Sequence, residues 1–193
     1  LLEGFKLTKT TLDGVIVSGI TLRNCDYCIV KSVEVTNFSK AYGVIHLSSC
    51  EDCIVVGNNI HDCTTNDSVT GRISGIEIDS NLALSAVSKR LRIVDNSIES
   101  LTIGATFLAA FGYLSYGVYV AVELSVGHTI SNNTIDLAGR GIKTLGLEGT
   151  ITGNVIRDAY KYGIALMDGA SDNVVSGNQI NRAGSAGVYL FGS

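Results

Sequence analysis

The sequence predicts an all-β chain built as a solenoid, in which short parallel strands wind into about seven stacked coils with two inserted loops. Three observations predict it. Segment 19–37, GITLRNCDYCIVKSVEVTN, lies without a gap on segment 44–62, VIHLSSCEDCIVVGNNIHD, at an offset of 25 residues. Parts of the same unit recur to the end of the chain. Finally, its strands are short, alternating and rich in β-branched residues, with nothing of helical period between them. A strand that returns every ~20–25 residues without a helix must stack on its own copy, at the ~4.8 Å spacing of paired strands.

Each unit opens on a short strand, usually begun by glycine. It reads GITLR (19–23), VIHLS (44–48), SGIEI (74–78), YGVYV (116–120), RGIKTL (140–145), YGIAL (162–166) and AGVYL (186–190). A polar turn follows, then a strand that closes on Asn-x-Ile, as in RIVDNSI (92–98), TISNNTI (129–135), TITGNVI (150–156) and VVSGNQI (174–180). The closing aliphatics are Val35, Ile60, Ile98, Ile135, Ile156 and Ile180, at intervals of 25, 38, 37, 21 and 24. The two long intervals place insertions at about 62–90 and about 99–116. Both follow the same strand, so they should leave adjacent coils at equivalent points and build one wall. LALSAVSKR (82–90) and FLAAFGYL (107–114) are candidates for short amphipathic helices within them. The apolar Phe107, Leu108, Phe111, Tyr113 and Leu114 also suit a clip or an oligomer contact.

Composition bounds the function. A chain of 193 residues is a single domain with a real core. Fourteen Lys and Arg against eighteen Asp and Glu, a net charge of −4, argue against nucleic acid or an anionic membrane as partner. Glycine, serine or threonine interrupts every apolar stretch well short of the ~20 residues that span a bilayer, so no membrane insertion is expected. The chain begins at Leu1-Leu2 and stops after Gly-Val-Tyr-Leu-Phe-Gly-Ser without a polar cap. Terminal coils need capping, so further coils, caps or partner chains are expected in the full protein.

Gly-Ile-x-Leu followed by Asn-x-Ile resembles the repeat of the pectin-lyase-like superfamily, including NosD-type proteins and carbohydrate-active modules, over about residues 13–193. The resemblance implies a right-handed, single-stranded parallel β-helix. A leucine-rich repeat has a similar period, but it needs L-x-x-L-x-L-x-x-N, whereas here Asn stands two residues before the closing aliphatic. Motifs of particular enzymes do not carry over. Arg140-Gly-Ile-Lys143 echoes the Arg-Ile-Lys strand of polygalacturonases, and Gly127-His128 echoes their Gly-His-Gly, but the accompanying aspartates are absent. Alginate epimerases need a proline that this chain lacks. Calcium-binding aspartate clusters of pectate lyases are not evident, so no cofactor and no metal ligand is assigned.

The column Asn58, Asn96, Asn133, Asn154 and Asn178 reads as a structural ladder, each amide bonding the coils above and below. Cys25-x-x-Cys28 and Cys50-x-x-Cys53 imitate a zinc ribbon, but they fall at one repeat position and so stack as columns. Packed thiols, or a Cys25–Cys50 or Cys28–Cys53 bridge in an oxidising medium, fit that stacking. Cys63 completes the five.

Outward residues carry the candidate chemistry. Strict alternation puts Thr21, His46, Glu77, Tyr119, Lys143, Ala165 and Tyr189 in one ladder, with Asp79 two residues beyond Glu77. Glu77, Asp79, Lys143 and Tyr119 are therefore the catalytic candidates, acid, base and charge-stabilising groups within about 15 Å at sheet spacing. His46, His61, Asp62, Arg72, Glu99 and Tyr113 are the substrate-binding candidates; His61 and Glu99 lie in a second outward column at the base of both insertions, and His61-Asp62 is grouped with Asp67 and Arg72, which follow it in sequence. The expected function is a polysaccharide-active module, a lyase or glycosidase acting on a glycan laid along the coils, extracellular, secreted or virion-associated. The alternative is a non-catalytic structural or adhesive module in a fibre or homo-oligomer, a trimer if tailspike-like.

Overall fold

The structure, a computed structural model, describes residues 1–8, 18–38, 43–65, 72–79, 87–103 and 115–192. They form three parallel sheets of seven strands each, and every coil of the right-handed β-helix gives one strand to each sheet. Sheet A takes Leu2–Glu3, Ile29–Lys31, Ile54–Val56, Arg92–Val94, Thr129–Ser131, Thr150–Thr152 and Val174–Ser176. Sheet B takes Lys6–Thr8, Glu34–Thr36, Asn59–Thr65, Ser97–Ile103, Thr134–Asp136, Val155–Arg157 and Gln179–Asn181. Sheet C takes Ile20–Arg23, Gly43–Ser48, Ile73–Asp79, Ser115–Val120, Arg140–Thr144, Tyr162–Leu166 and Ala186–Leu190.

The repeat predicts two strands per coil, and the structure has three. The closing strand is broken in its middle by a residue in the left-handed region: Ser32 (φ 53°), Gly57 (62°), Asp95 (56°), Asn132 (55°), Gly153 (67°) and Gly177 (62°). Glycine adopts that conformation freely, and Asn and Asp adopt it at modest cost. The chain turns there from sheet A to sheet B, and from coil 3 onward the next residue is always Asn. Asn58 donates its backbone N–H (3.0 Å) and its side-chain Nδ2 (2.9 Å) to Asn96 Oδ1, and Nδ2 also donates to the Val30 carbonyl (3.1 Å). Asn96, Asn133 and Asn154 repeat the pattern down to Asn178. From Asn58 to Asn154, where the side chains are buried, the ladder pairs the amide groups of the corner with one another and with backbone carbonyls, which is the requirement for burying a turn.

A second ladder lines the corner before sheet A. Backbone N–H groups of Cys28, Leu91 and Gly149 donate to Cys53 Sγ (3.2 Å), His128 Nδ1 (3.2 Å) and Asn173 Oδ1 (2.9 Å) in the following coil. Three different side chains thus serve as acceptors at one repeat position.

Sheet C supplies the inward columns that alternation predicts. Ile45, Leu47, Ile76, Ile78, Val118, Val120, Ile142 and Ile164 are buried, against Val30, Val55, Ile93 and Ile130 of sheet A and Val35, Ile60, Ile98, Ile135 and Ile156 of sheet B. Val188 and Leu190, in the last coil, are exposed.

Glycine opens most sheet C strands for a steric reason. Strand register pairs Tyr116 with Ser74 and Val118 with Ile76 and passes over Gly75 and Gly117. At this bend two successive residues, the glycine and the following aliphatic, face inward. A Cβ on Gly141 would lie 2.5 Å from the Gly163 carbonyl oxygen and 2.6 Å from Ile156 Cγ2. Neither neighbour can retreat, so Gly141→Ala is expected to cost about 1–3 kcal/mol of stability by overpacking. Urea denaturation measures it; Gly57→Ala, where no atom lies within 4 Å, isolates the separate cost of its positive φ.

The regular coil reaches further into both inserted stretches than the repeat alone indicates. Sheet B strands of coils 3 and 4 run seven residues and stay paired through Leu101 with Cys63, Thr102 with Thr64 and Ile103 with Thr65. The two longer strands therefore extend sheet B side by side before the inserted residues begin. The strand Ile73–Asp79 returns in the middle of the first. The candidate helix at 107–114 and most of that at 82–90 lie outside the described residues.

Candidate functional site

The outer face of sheet C carries two columns. Register confirms one in full: Thr21, His46, Glu77, Tyr119, Lys143, Ala165 and Tyr189 stand directly opposite one another in successive coils. The other column, Ser74, Tyr116, Arg140, Tyr162 and Ala186, consists of residues just before the bend glycine. Strict alternation sends these inward, so the sequence reading misses them; the glycine bend turns them out. The recurring pair of a polar or aromatic residue followed by Gly was the available signal.

Aromatic rings and cations interleave along these columns. Tyr116 stacks on Tyr119 with centroids 4.6 Å apart, and Tyr162 stacks on Tyr189 at 4.3 Å. Arg140 lies between the rings of Tyr116 (5.3 Å) and Tyr162 (5.7 Å) and donates to the Tyr116 hydroxyl at 3.0 Å. Lys143 Nζ sits 4.7 Å from the Tyr119 centroid and 3.5 Å from its hydroxyl. Stacked cations and rings attract through the ring quadrupole.

Glu77 anchors the middle of the face. Its side chain is 1% exposed although it points out of the solenoid. Arg72 donates to Oε1 at 2.6 Å and Ser74 to Oε2 at 3.0 Å, while the Arg72 guanidinium lies 5.2 Å from the Tyr119 centroid. Gly43, beside Ser74 in the preceding coil, makes room: a Cβ there would stand 2.7 Å from Glu77 Cβ. Burial pushes the Glu77 carboxyl above its ordinary range, outweighing the charges of Arg72 and His46 and the Ser74 hydrogen bond. Burial, with help from Arg140 and Arg72, holds the Lys143 ammonium down to about 8. Burial raises the phenols of Tyr119 and Tyr116.

Asp79 joins this face through His46, whose Nε2 lies 2.9 Å from Oδ2. Burial raises the Asp79 carboxyl, but hydrogen bonds from His46 and Ser48 and the charges of His46 and Arg23 outweigh it and leave it lowered. Asp79 is thus an ionised partner of His46, and Glu77 is an enclosed partner of Arg72. The structure brings together six of the predicted residues, namely Glu77, Asp79, Lys143, Tyr119, His46 and Arg72.

Three of the others, His61, Asp62 and Glu99, lie elsewhere. His61 and Glu99 are opposite each other on the outer face of sheet B. His61 bonds Asp62 through Nδ1 (2.8 Å) and Glu34 through Nε2 (3.1 Å), and Lys6 closes the cluster on Glu34 at 2.5 Å. Hydrogen bonding to Asp62, aided by Glu34, raises the His61 imidazole against the opposing effect of burial. Glu99 takes the Ser97 hydroxyl at 2.9 Å. This is a cross-coil ion cluster, apart from sheet C. Arg72, which the sequence groups with His61 and Asp62, turns instead to Glu77. Tyr113 lies outside the described residues.

The five cysteines are free thiols. Burial pushes Cys50 up to about 12 and Cys63 up to about 11, far from a reactive thiolate. Among the described residues no group of three or more His, Cys, Asp or Glu is placed to hold a metal ion, and no helix is long and apolar enough to cross a membrane.

The fold and its repeat have a counterpart among known families. The family profile described as right handed beta helix region matches residues 3–146 and 111–193. No curated protein and no solved structure matches the chain. The matched segments span almost the whole sequence and agree with the seven-coil solenoid and with the resemblance to pectin-lyase-like repeats, so the chain belongs to the right-handed β-helix family.

Proposed function

We propose that the outer face of sheet C holds an acidic glycan along the coils and that Lys143, with Tyr119, carries its cleavage by elimination. The observation that supports this is the placement of Lys143: half-buried, 3.5 Å from the Tyr119 hydroxyl, and held down to about 8. An amine in that range is neutral often enough near neutral pH to accept a proton. Arg72 and Arg140 supply positive charge beside it, which would stabilise a uronate carboxylate as the carbon next to it loses its proton to Lys143. Tyr119, kept protonated by burial, would then give its proton to the departing glycosidic oxygen as the double bond forms. On this reading the protein acts outside the cell.

Glu77 favours a second reading. Both its oxygens are engaged and its side chain is 1% exposed, which suits a structural or adhesive module whose sheet face is locked by ion pairs.

A screen against acidic and neutral polysaccharides, following new reducing ends and unsaturated-uronate absorbance together, separates the readings. Elimination gives both signals. Activity should rise with pH through about 8 as Lys143 loses its proton. Lys143→Met should then lower kcat by about 10²–10⁴-fold with little change in KM. Reducing ends without absorbance, abolished by Glu77→Gln and Asp79→Asn, would make the reaction a hydrolysis by the carboxylates. Silence across the panel, with a stable oligomer in solution, would leave the structural module.

A further inference from the structure

We propose that Cys25 and Cys50 are a disulfide-forming pair that staples coil 1 to coil 2 when the protein meets a low-molecular-weight disulfide. Their sulfurs are 3.9 Å apart and neither is in a disulfide; besides each other they meet backbone carbonyls, Cys25 Sγ that of Arg23 (3.5 Å) and Cys50 Sγ those of Ser48 (3.4 Å) and Leu22 (3.5 Å). Register fixes the backbones: Arg23 is opposite Ser48 two residues earlier, and Asp26 is opposite Glu51 one residue later. Cys25 and Cys50 are therefore direct neighbours across a parallel ladder, where strands run ~4.8 Å apart. That separation falls inside the Cα range of disulfides, about 4.4–6.8 Å, so a rotation of the two side chains closes the bond without moving the coils.

The neighbouring column, Cys28 and Cys53, stands in the same register but holds its sulfur differently. Cys53 Sγ takes the Cys28 N–H at 3.2 Å and donates to the Cys25 carbonyl at 3.3 Å, so it serves the corner ladder. Cys63 faces the core opposite Leu101 on sheet B. Only Cys25 of the stacked pair reaches the surface, while Cys50 is fully buried. That order of access sets the chemistry. The Cys25 thiolate attacks one sulfur of glutathione disulfide and expels one glutathione thiolate. The Cys50 sulfur, after giving up its proton, then attacks Cys25 in the mixed disulfide and expels the second. Two protein thiols are oxidised and one glutathione disulfide is reduced to two glutathiones.

The test is incubation of the folded chain with glutathione disulfide in mildly alkaline buffer, then alkylation and non-reducing peptide mapping. The expected product links Cys25 to Cys50, leaves Cys28, Cys53 and Cys63 as free thiols with the buried Cys53 and Cys63 alkylated only after denaturation, and raises the thermal midpoint in a way dithiothreitol reverses. Cys50→Ser should instead trap glutathione on Cys25. A Cys28–Cys53 link, or a stable glutathione adduct on Cys25 of the unmutated chain, would overturn the pairing. So would five free thiols after exposure long enough to oxidise the unfolded chain.

Discussion

Asn133→Ala should destabilise the protein by about 3–5 kcal/mol. Asn133 Oδ1 accepts from both the backbone N–H and the Nδ2 of Asn96, at 3.0 and 2.9 Å, and its Nδ2 donates to the Ile93 carbonyl and Asn154 Oδ1, each at 2.9 Å. The residue is fully buried, so no water replaces what the alanine removes. Each buried group left without a partner costs about 1–3 kcal/mol, and the truncation loosens groups in both neighbouring coils. Asn178 is the control. It stands at the exposed end of the same ladder, where water reaches the broken bonds, and Asn178→Ala should cost about 1 kcal/mol. Equal losses for the two variants, read from urea midpoints at unchanged m-value, would show that the ladder is not what holds the corner.

The second large effect is acid destabilisation through His128. Its side chain is 3% exposed, Nδ1 accepts the Leu91 N–H, and burial holds the imidazole down to about 4. Unfolded, it titrates near ~6.5. The folded state therefore favours the neutral ring, and protons taken up by the unfolded chain between those two values draw the equilibrium toward unfolding. About 3 kcal/mol of stability should be lost as pH falls from 6.5 to 4. His61, whose imidazole is raised, gives its stabilisation in full below the unfolded value and so adds no slope in that window. The lowered carboxyls of Asp52, Asp79, Asp158 and Glu34 lose theirs only as pH falls through and below ~4. Glu77, raised by burial, acts in the opposite direction, so the measurement is a difference. His128→Asn copies the acceptor used at Asn173 and removes the titration. The stability of the wild-type protein relative to His128→Asn should rise by about 3 kcal/mol as pH rises from 4 to 6.5 and then stay level.

Most of the fold is legible in the sequence because a solenoid states the same local rule seven times. Inward and outward positions in sheet C follow from alternation between Ile76, Glu77 and Ile78, and the ladder from Thr21 to Tyr189 is in register as the repeat predicts. The third sheet is not legible in the apolar pattern. The bend at Gly57, Asp95 and their equivalents is a backbone event, and it leaves the Ile and Val spacing on either side unchanged. The site suffers from the same limit. Tyr116 and Arg140 reach the outer face only because the following glycine breaks the alternation. Arg72, assigned by proximity in sequence to His61, finds its partner five residues on, at Glu77. Pairing across coils is fixed by register, whereas pairing at the base of an excursion depends on how the chain returns, which the repeat does not encode.

The asparagine ladder also makes coil number a free parameter. Asn133 presents to Asn154 the same donors that Asn96 presents to Asn133, so the two faces of a coil are interchangeable connectors. Excising the 21 residues from His128 to Glu148 would bring Asn96 onto Asn154 and His128's acceptor role would pass to Gly149, which has no side chain to fill it. The corner ladder would therefore lose one bond while the main ladder closed intact. On the outer face, Tyr119 would become the neighbour of Ala165, and Lys143 would be gone with its coil. Length can thus vary by whole coils without breaking the main ladder, stability changing by the contribution of the coil itself, while the chemistry changes through which side chains meet along sheet C. In such an architecture, gain or loss of a unit is a natural route to new surface chemistry on an unchanged frame.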